Sequence, residues 1–178
     1  RAMSTFTPPT QGDRNATHRG PVFLPWHRFM LLLLEFQFQR VLGDEDFGLP
    51  YWDWAADGDL PPSEQAASAV WSPDCMGGEG DPVADGPFAF DPADPASFRV
   101  RVQANVNGQL VSVDRGLRRA FAVSIPSLPQ SSQVAQALAL TPYDAPPWTV
   151  ASAGFRNQLE GWLPAFDAPR MHNRVHLW

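Results

Sequence analysis

The sequence predicts a mainly α-helical fold with long irregular loops and one small β-hairpin. A continuous helical pattern runs from about residue 26 to 42, and two short strand patterns flank Asn107 and Gly108. The 19 prolines and 13 glycines among 178 residues indicate that much of the chain is loop. A chain of this length can bury a core of its own, so we expect residues 1–178 to form one domain.

The helix over residues 26–42 has the clearest signals at both ends. Pro25 precedes it and Gly43 stops it. Leu, Met, Glu and Gln dominate its interior, and all four are good helix formers. Apolar side chains occur nearly all round the helix, which is typical of a helix in the middle of a bundle. His27 lies in its first turn and is expected to face that interior.

Weaker signals predict further short helices in the second half of the chain. Ser131 or Ser132 can cap a helix that runs to about Leu140. The other short helices are expected over Gly116–Ala122, over Gly154–Trp162 and after Pro169.

The segments between these helices are predicted from their composition. Residues 49–54 are rich in aromatic side chains and are expected to pack against the central helix. Residues 57–98 are rich in Asp, Pro, Gly and Ala, and indicate a long ordered loop. Over residues 99–113, valines alternate with polar residues around Asn107-Gly108, a pair that favours a two-residue hairpin turn.

Composition excludes several classes of function. A net charge of −6 and a pI of about 5.0 argue against a nonspecific nucleic-acid binder or a protein of anionic membrane surfaces. The most apolar run, residues 29–34, is far shorter than the roughly 20 residues that cross a bilayer. Cys75 is the single cysteine, which excludes an internal disulfide, and is expected to be a small buried apolar residue. The sequence does not indicate the cellular compartment in which the protein works.

The four histidines form two pairs near opposite ends of the chain. His18 and His27 flank a Gly-Pro-Val-Phe-Leu-Pro-Trp segment, whereas His172 and His176 are spaced i, i+4. On a helix that spacing places two imidazoles on one face, with Cβ atoms about 5–6 Å apart. Such a pair alone is better explained by surface or packed histidines, and His18 alone by a loop histidine. Together, beside aromatic sequence, they suggest two halves of one metal site.

The residues near the histidines favour copper among the metals that bind imidazole. Neutral imidazole suits Zn, Cu, Fe and Ni. A zinc peptidase places Glu after the first histidine of an i, i+4 pair, but this chain has Asn173 there. A di-iron bundle places Glu three residues before a histidine, and neither His27 nor His172 has one. Ligation by imidazoles without carboxylates favours copper over iron.

Five segments together resemble the bacterial tyrosinases. These belong to the type-3 copper superfamily, with catechol oxidases, o-aminophenol oxidases and hemocyanins. The segments occur in the family's order, and the resemblance extends from about residue 15 to 178. They are His18–Arg28, Leu49–Trp54, Asp85–Phe88, Gly154–Gly161 and His172–His176.

The resemblance implies a four-helix bundle that holds two copper ions, each bound by three histidines. His18 and His27 match the second and third ligands of the first copper, and His172 and His176 match the first and second ligands of the second. The implied activity uses O2 as co-substrate to hydroxylate monophenols and to oxidise o-diphenols to o-quinones, chemistry associated with melanin. The implied partners are a small phenolic substrate and, as in some bacterial relatives, a small copper-delivering protein.

Three further residues acquire roles from the same resemblance. Glu160 and Asn173 match a pair that holds a water molecule near the second copper. A phenol has a pKa of about 10, so it must lose a proton to bind copper at neutral pH, and such a water can accept it. Leu177 matches a position near the substrate entrance. The alternatives are a solvated helix residue for Glu160 and a packing residue for Leu177.

The sequence departs from the family pattern at both ends. One histidine ligand is expected upstream, near Arg1, and another several tens of residues past Trp178. We therefore expect the 178 residues to be incomplete at both ends and, alone, to hold little copper and show no oxidase activity. Three alternatives stay open: an o-aminophenol or catechol oxidase without monophenol hydroxylation, a reversible O2 carrier, and a relative that has lost its metal.

Overall fold

A computed structural model describes residues 17–162 and 170–178. These residues form two compact units. The first contains residues 17–56, 129–162 and 170–177, and the second contains residues 57–128 with Trp178. The helices are α1 (Phe23–Leu42), α2 (Trp54–Gly58), α3 (Pro62–Gln65), α4 (Ser131–Leu138), α5 (Phe155–Glu160) and α6 (Met171–Leu177). The two strands are β1 (Val100–Val106) and β2 (Gln109–Arg115).

The predicted central helix is confirmed as α1, which begins three residues earlier than expected. Pro25 lies in its first turn, where a missing backbone N–H removes no helical hydrogen bond. Gly43 ends the helix as predicted, and its N–H donates to the Gln39 carbonyl.

Most of the apolar surface of α1 is exposed. Phe23 is 4% exposed, whereas the large apolar side chains between Phe29 and Leu42 are 41–83% exposed. The half-buried positions of that stretch are polar instead. Glu35 Oε2 accepts the Leu49 N–H at 2.9 Å, and Gln39 Nε2 donates to the Phe47 carbonyl at 2.9 Å. In the part of the chain that the structure describes, α1 is therefore not enclosed by other helices.

The aromatic segment after α1 is packed only in part. Trp52 and Trp54 are half-buried, but Tyr51 is 87% exposed, so the expectation of a fully packed segment is wrong at that residue. Trp54 begins α2.

The core of the first unit contains a buried network of charged side chains on α5 and the segment before it. The Arg156 guanidinium meets Asp144 through two hydrogen bonds, of 3.0 and 3.1 Å. Its Nη1 lies 3.3 Å from Glu160 Oε2, one turn along the helix. Arg156 and Glu160 are fully buried, and Asp144 is 8% exposed. Buried charges are tolerated when they are paired and hydrogen-bonded, as here.

Gly161 ends α5 and brings the chain close to the start of α6. Its φ is +93°, a left-handed conformation that favours glycine, and a Cβ there would collide with the Arg170 backbone. The Gly161 carbonyl accepts the Arg170 N–H at 3.5 Å. The close approach requires a residue without a side chain.

The second unit contains the predicted hairpin, which is confirmed. The antiparallel register runs from Val100 opposite Arg115 to Val106 opposite Gln109. The connecting Asn107 and Gly108 have φ values of +52° and +83°, as a type I′ turn requires.

The rest of the second unit is held by side chains that bond to backbone. Gln65 is buried, donates to the Gly58 and Leu60 carbonyls, and accepts the Leu128 N–H. Three aromatic residues of the second unit also pack together, with ring centroids 4.6–6.2 Å apart: Trp71, Phe121 and Trp178.

Two expectations for the second unit are wrong. Residues 116–122 are not helical, because Arg119 pairs with Gly80 in an isolated bridge and its guanidinium donates to the carbonyls of residues 76–78. Cys75 is exposed rather than buried.

Within residues 17–162 and 170–178, no helix has both the length and the apolar character that crossing a membrane requires.

We expect Arg156→Met to lower the free energy of unfolding by about 3–5 kcal/mol, because it leaves two buried carboxylates without their cation. Arg101→Met is the matched control. Arg101 also forms a two-bond pair with a carboxylate, that of Asp114, but its side chain is 73% exposed. Solvent screens such a pair, so its loss should change stability little. Urea unfolding of both variants checks this, and equal losses would contradict it.

Candidate metal centre

Four histidine rings from the two ends of the sequence meet in the first unit. His18 precedes α1, His27 lies in α1, and His172 and His176 lie in α6. The His18 ring centroid is 5.1 Å from that of His27 and 6.1 Å from that of His172. The His27 and His172 centroids are 6.2 Å apart, and those of His172 and His176 are 4.4 Å apart. The chain thus places all its imidazoles in one cluster.

The pair on α6 has the spacing of two ligands of one ion. The i, i+4 positions put both rings on one helix face, with the Nε2 atoms of His172 and His176 3.0 Å apart. Metal–imidazole bonds of about 2.0–2.1 Å, with an angle between about 90° and tetrahedral, separate two nitrogens by about 2.8–3.4 Å. The observed separation falls within this range.

Three of the histidines have a polar contact at Nδ1, the ring nitrogen that would not bind the metal ion. His27 Nδ1 lies 2.7 Å from the Phe23 carbonyl oxygen, and His172 Nδ1 lies 3.1 Å from Asn173 Oδ1. Each of these oxygens only accepts, so each Nδ1 carries a hydrogen. In the neutral form of either ring the lone pair then lies on Nε2, and that of His172 faces His176 Nε2 at 3.0 Å. His18 Nδ1 lies 2.7 Å from the Thr17 hydroxyl, which can donate or accept. Metal-binding histidines are oriented by such contacts.

Phe23 packs among three of the four imidazoles, and sequence reasoning missed it. Its ring centroid is 4.7 Å from that of His27, 4.9 Å from that of His172 and 5.9 Å from that of His18. Trp26 adds an edge contact to His27 at 5.0 Å. Phe23 is nearly fully buried, so it shields one side of the cluster from water. The available signal was its position one helical turn before His27.

Burial keeps two of the histidines neutral. Burial, with a smaller contribution from the neighbouring His176, lowers the pKa of His172 to about 4. Burial also lowers the pKa of His18, with smaller contributions from His27 and His176. Both imidazoles are therefore unprotonated at neutral pH, which is the form that binds a metal ion.

The chemistry of the imidazole donors suits copper, and the donors occur as two pairs along the sequence. The cluster offers neutral imidazole nitrogens, which copper favours. Within the described residues, no group of three or more His, Cys, Asp or Glu side chains is arranged to hold one ion. The pair on α6 therefore offers two donors to one ion, and His18 and His27 lie beside it in the same cluster.

Glu160 lies in the buried network next to the turn that carries His18. Its Oε1 accepts the Arg19 backbone N–H at 2.5 Å, its Oε2 faces Arg156, and the Trp162 side chain also hydrogen-bonds the carboxylate. Burial raises the pKa of Glu160 despite these favourable contacts.

Asn173 and Leu177 lie on α6 beside the histidines. Asn173 Oδ1 accepts the His172 Nδ1–H, while its Nδ2 is buried without a hydrogen-bond partner among the described residues. In that same part of the chain no direct hydrogen bond joins Asn173 to Glu160. Leu177 is 49% exposed.

Comparison with known proteins identifies the family of this chain. Residues 3–178 match the family described as the common central domain of tyrosinase. The chain belongs to the tyrosinase family. It is 40% identical to the tyrosinase of Streptomyces antibioticus over 95% of this chain and 55% of that protein. It is 38% identical to the grixazone synthase of Streptomyces griseus over 90% of this chain and 56% of that protein.

The family membership confirms the resemblance that the sequence motifs indicated. The chain spans about half the length of these curated relatives. It also matches the tyrosinase of Felis catus, at 31% identity over 93% of this chain and 32% of that protein. The helix-rich structure with its two-stranded hairpin is compatible with the tyrosinase domain.

We expect Asn173→Leu to weaken copper binding at His172 about 10–100-fold, because the Nδ1 hydrogen bond that orients the ring is lost. Asn173→Asp is the matched control, since it keeps an oxygen that accepts from Nδ1 and should retain at least the original affinity. Competition with a chromogenic copper chelator measures both. Equal weakening in the two variants would show that the hydrogen bond does not orient the ligand.

Proposed function

We propose that this chain forms the copper-binding core of an enzyme that oxidises phenols with O2. The observation that carries the proposal is the cluster of four imidazoles with oriented rings, in a chain of the tyrosinase family. The reaction is the hydroxylation of monophenols and the oxidation of o-diphenols to o-quinones.

His18 and His27 would hold one copper ion, and His172 and His176 the other. When bound, the copper pair supplies the activation of O2 and the oxidation of the phenol. The chain's own residues orient the His27 and His172 rings through Nδ1, keep His172 neutral by burial, and pack Phe23 against both rings.

We propose that Glu160 and Asn173 hold the water that takes the phenol's proton. A carboxylate has about four acceptor positions, and three donors engage Glu160, which leaves one for a water molecule. The buried Nδ2 of Asn173 is a donor that a water would satisfy. The half-exposed Leu177 next to His176 offers an apolar contact for an aromatic ring at the substrate entrance.

We further propose that residues 1–178 belong to one copper domain in which α1 lies inside a four-helix bundle. Apolar residues from Phe29 to Leu42 are 41–83% exposed along more than three turns of α1. Monomeric proteins rarely leave so continuous an apolar surface in water. Three further helices around α1 would bury it.

A second candidate is the oxidation of o-aminophenols or catechols without monophenol hydroxylation. The relatives at this level of similarity are not all named tyrosinases, since one is named grixazone synthase. The same four histidines would serve both reactions, so the substrate is decided by activity and not by the ligand set.

Oxygen consumption by the copper-supplemented full-length protein that contains these residues tests the proposal with three substrates: a monophenol, a catechol and an o-aminophenol. We expect turnover of the monophenol after a lag and of the catechol directly, and loss of both in His172→Ala. Turnover only of the catechol or the o-aminophenol would favour the second candidate. Copper binding without turnover would indicate an O2 carrier, and no copper uptake a metal-free relative. Uptake only in the presence of another protein would indicate a copper-delivering partner.

We expect Glu160→Gln to reduce monophenol turnover more than catechol turnover. The amide keeps the shape and one accepting oxygen but cannot orient a water for proton transfer. A monophenol must be deprotonated before it is hydroxylated, whereas the catechol reaction depends less on this step. The ratio of the two kcat/KM values measures the effect, and an unchanged ratio would argue against the role.

A further inference from the structure

We propose that Arg19, Glu160 and Trp162 form a clamp that fixes the turn carrying His18 and so positions this imidazole for its metal ion. The inference rests on the proposed function, because it assigns positioning residues to the same site. It gives Glu160 a second duty that does not depend on proton transfer.

Each residue of the clamp contacts the other two. The Arg19 backbone N–H donates to Glu160 Oε1 at 2.5 Å. The Trp162 side chain hydrogen-bonds the same carboxylate. The Arg19 guanidinium carbon lies 4.3 Å from the centre of the Trp162 ring, within the range of a cation–π contact. These contacts join residues that are about 140 positions apart in the sequence.

The backbone at Arg19 needs such support. Its φ is +61°, a left-handed conformation that residues with a Cβ seldom adopt. Such conformations persist where the surroundings hold them in place. On the other side of His18, Thr17 is fully buried and its hydroxyl lies 2.7 Å from His18 Nδ1. The histidine is thus held between a buried neighbour and a clamped one.

The clamp is attached to the buried ion-pair network of the first unit. Glu160 is fully buried against Arg156, which is itself fixed by two hydrogen bonds to Asp144. Glu160 lies on α5, and α5 packs against both α1 and α6, which carry the other three histidines. The helix α5 therefore sets the position of the His18 turn relative to α1 and α6, the two helices that carry the other histidines.

Paired substitutions separate this duty from the proton-transfer duty. Trp162→Leu removes the ring and the N–H donor, whereas Trp162→Phe keeps the ring. Glu160→Leu removes the acceptor for Arg19, whereas Glu160→Gln keeps one. We expect the two Leu variants to weaken the binding of one copper ion at least 10-fold in chelator competition. The Phe and Gln variants should recover most of that affinity, even where Glu160→Gln has lost monophenol turnover.

A double-mutant cycle shows whether the effect acts through His18. Trp162→Leu should cost no further copper affinity in a His18→Ala background, but should keep its full cost in a His176→Ala background. Equal costs in the two backgrounds would overturn the inference and leave the proposed function intact.

The metal-free protein gives a readout that is independent of copper. Trp162→Leu and Glu160→Leu should shift and broaden the His18 imidazole NMR signals and leave those of His176 in place, with unchanged far-UV circular dichroism. Unaltered His18 signals in both Leu variants would overturn the inference. If the unmodified full-length protein took up no copper, the proposed function would fail, and these signals alone would decide whether the clamp fixes His18.

Discussion

The buried pairing of Arg156 with Asp144 and Glu160 is the constraint on which the rest of the first unit depends. An unpaired buried charge costs several kcal/mol, so these groups hold one another in a narrow geometry. Two carboxylates face one guanidinium, and the excess negative charge is offset by N–H donors from Arg19 and the Trp162 side chain. The network thereby determines where α5 lies and where the turn before α1 attaches to it.

The histidine cluster follows from this fixed frame and from the chemistry of imidazole. Rings with centroids 4.4–6.2 Å apart could not all be protonated, because like charges would repel one another in a partly buried place. Burial keeps His18 and His172 neutral, and Nδ1 contacts determine which nitrogen is left to bind. The arrangement has the properties of a metal site before any ion binds, which reduces the reorganisation that binding requires.

Local rules predicted the elements whose geometry is decided within a few residues. Proline and glycine set the ends of α1 closely, the Asn107-Gly108 pair determined the hairpin register, and the i, i+4 spacing placed two imidazoles on one face. The failures involve partners that are distant in sequence. The local sequence of residues 116–122 is compatible with a helix, but Arg119 instead pairs with Gly80 in a bridge and donates to the Gly77 carbonyl.

The candidate site was predictable only in part for the same reason. Histidine and its spacing are visible in the sequence, so the ligands could be proposed from it. The role of Phe23 appears only when α6 brings His172 against it. The attachment of Glu160 to the Arg19 amide crosses 141 residues, and no sequence pattern marks a backbone N–H as a partner. Family resemblance named Glu160 for its chemistry and gave no indication of this contact.

The exposed surface of α1 links the metal site to packing at a distance from it. His27 lies near the buried start of the helix, whereas the apolar side chains that follow Phe29 face outward. A helix is stiff over this length, so whatever covers its apolar part also determines the direction in which His27 points. If His18 and His27 bind one ion as proposed, packing on α1 and the clamp on the His18 turn would each act on one of its two ligands. A shift of about 1 Å in either would misplace a ligand, since metal–nitrogen distances tolerate only about 0.2 Å. Under the proposed function, the affinity of this copper position would then depend on how α1 is packed as well as on the histidines themselves.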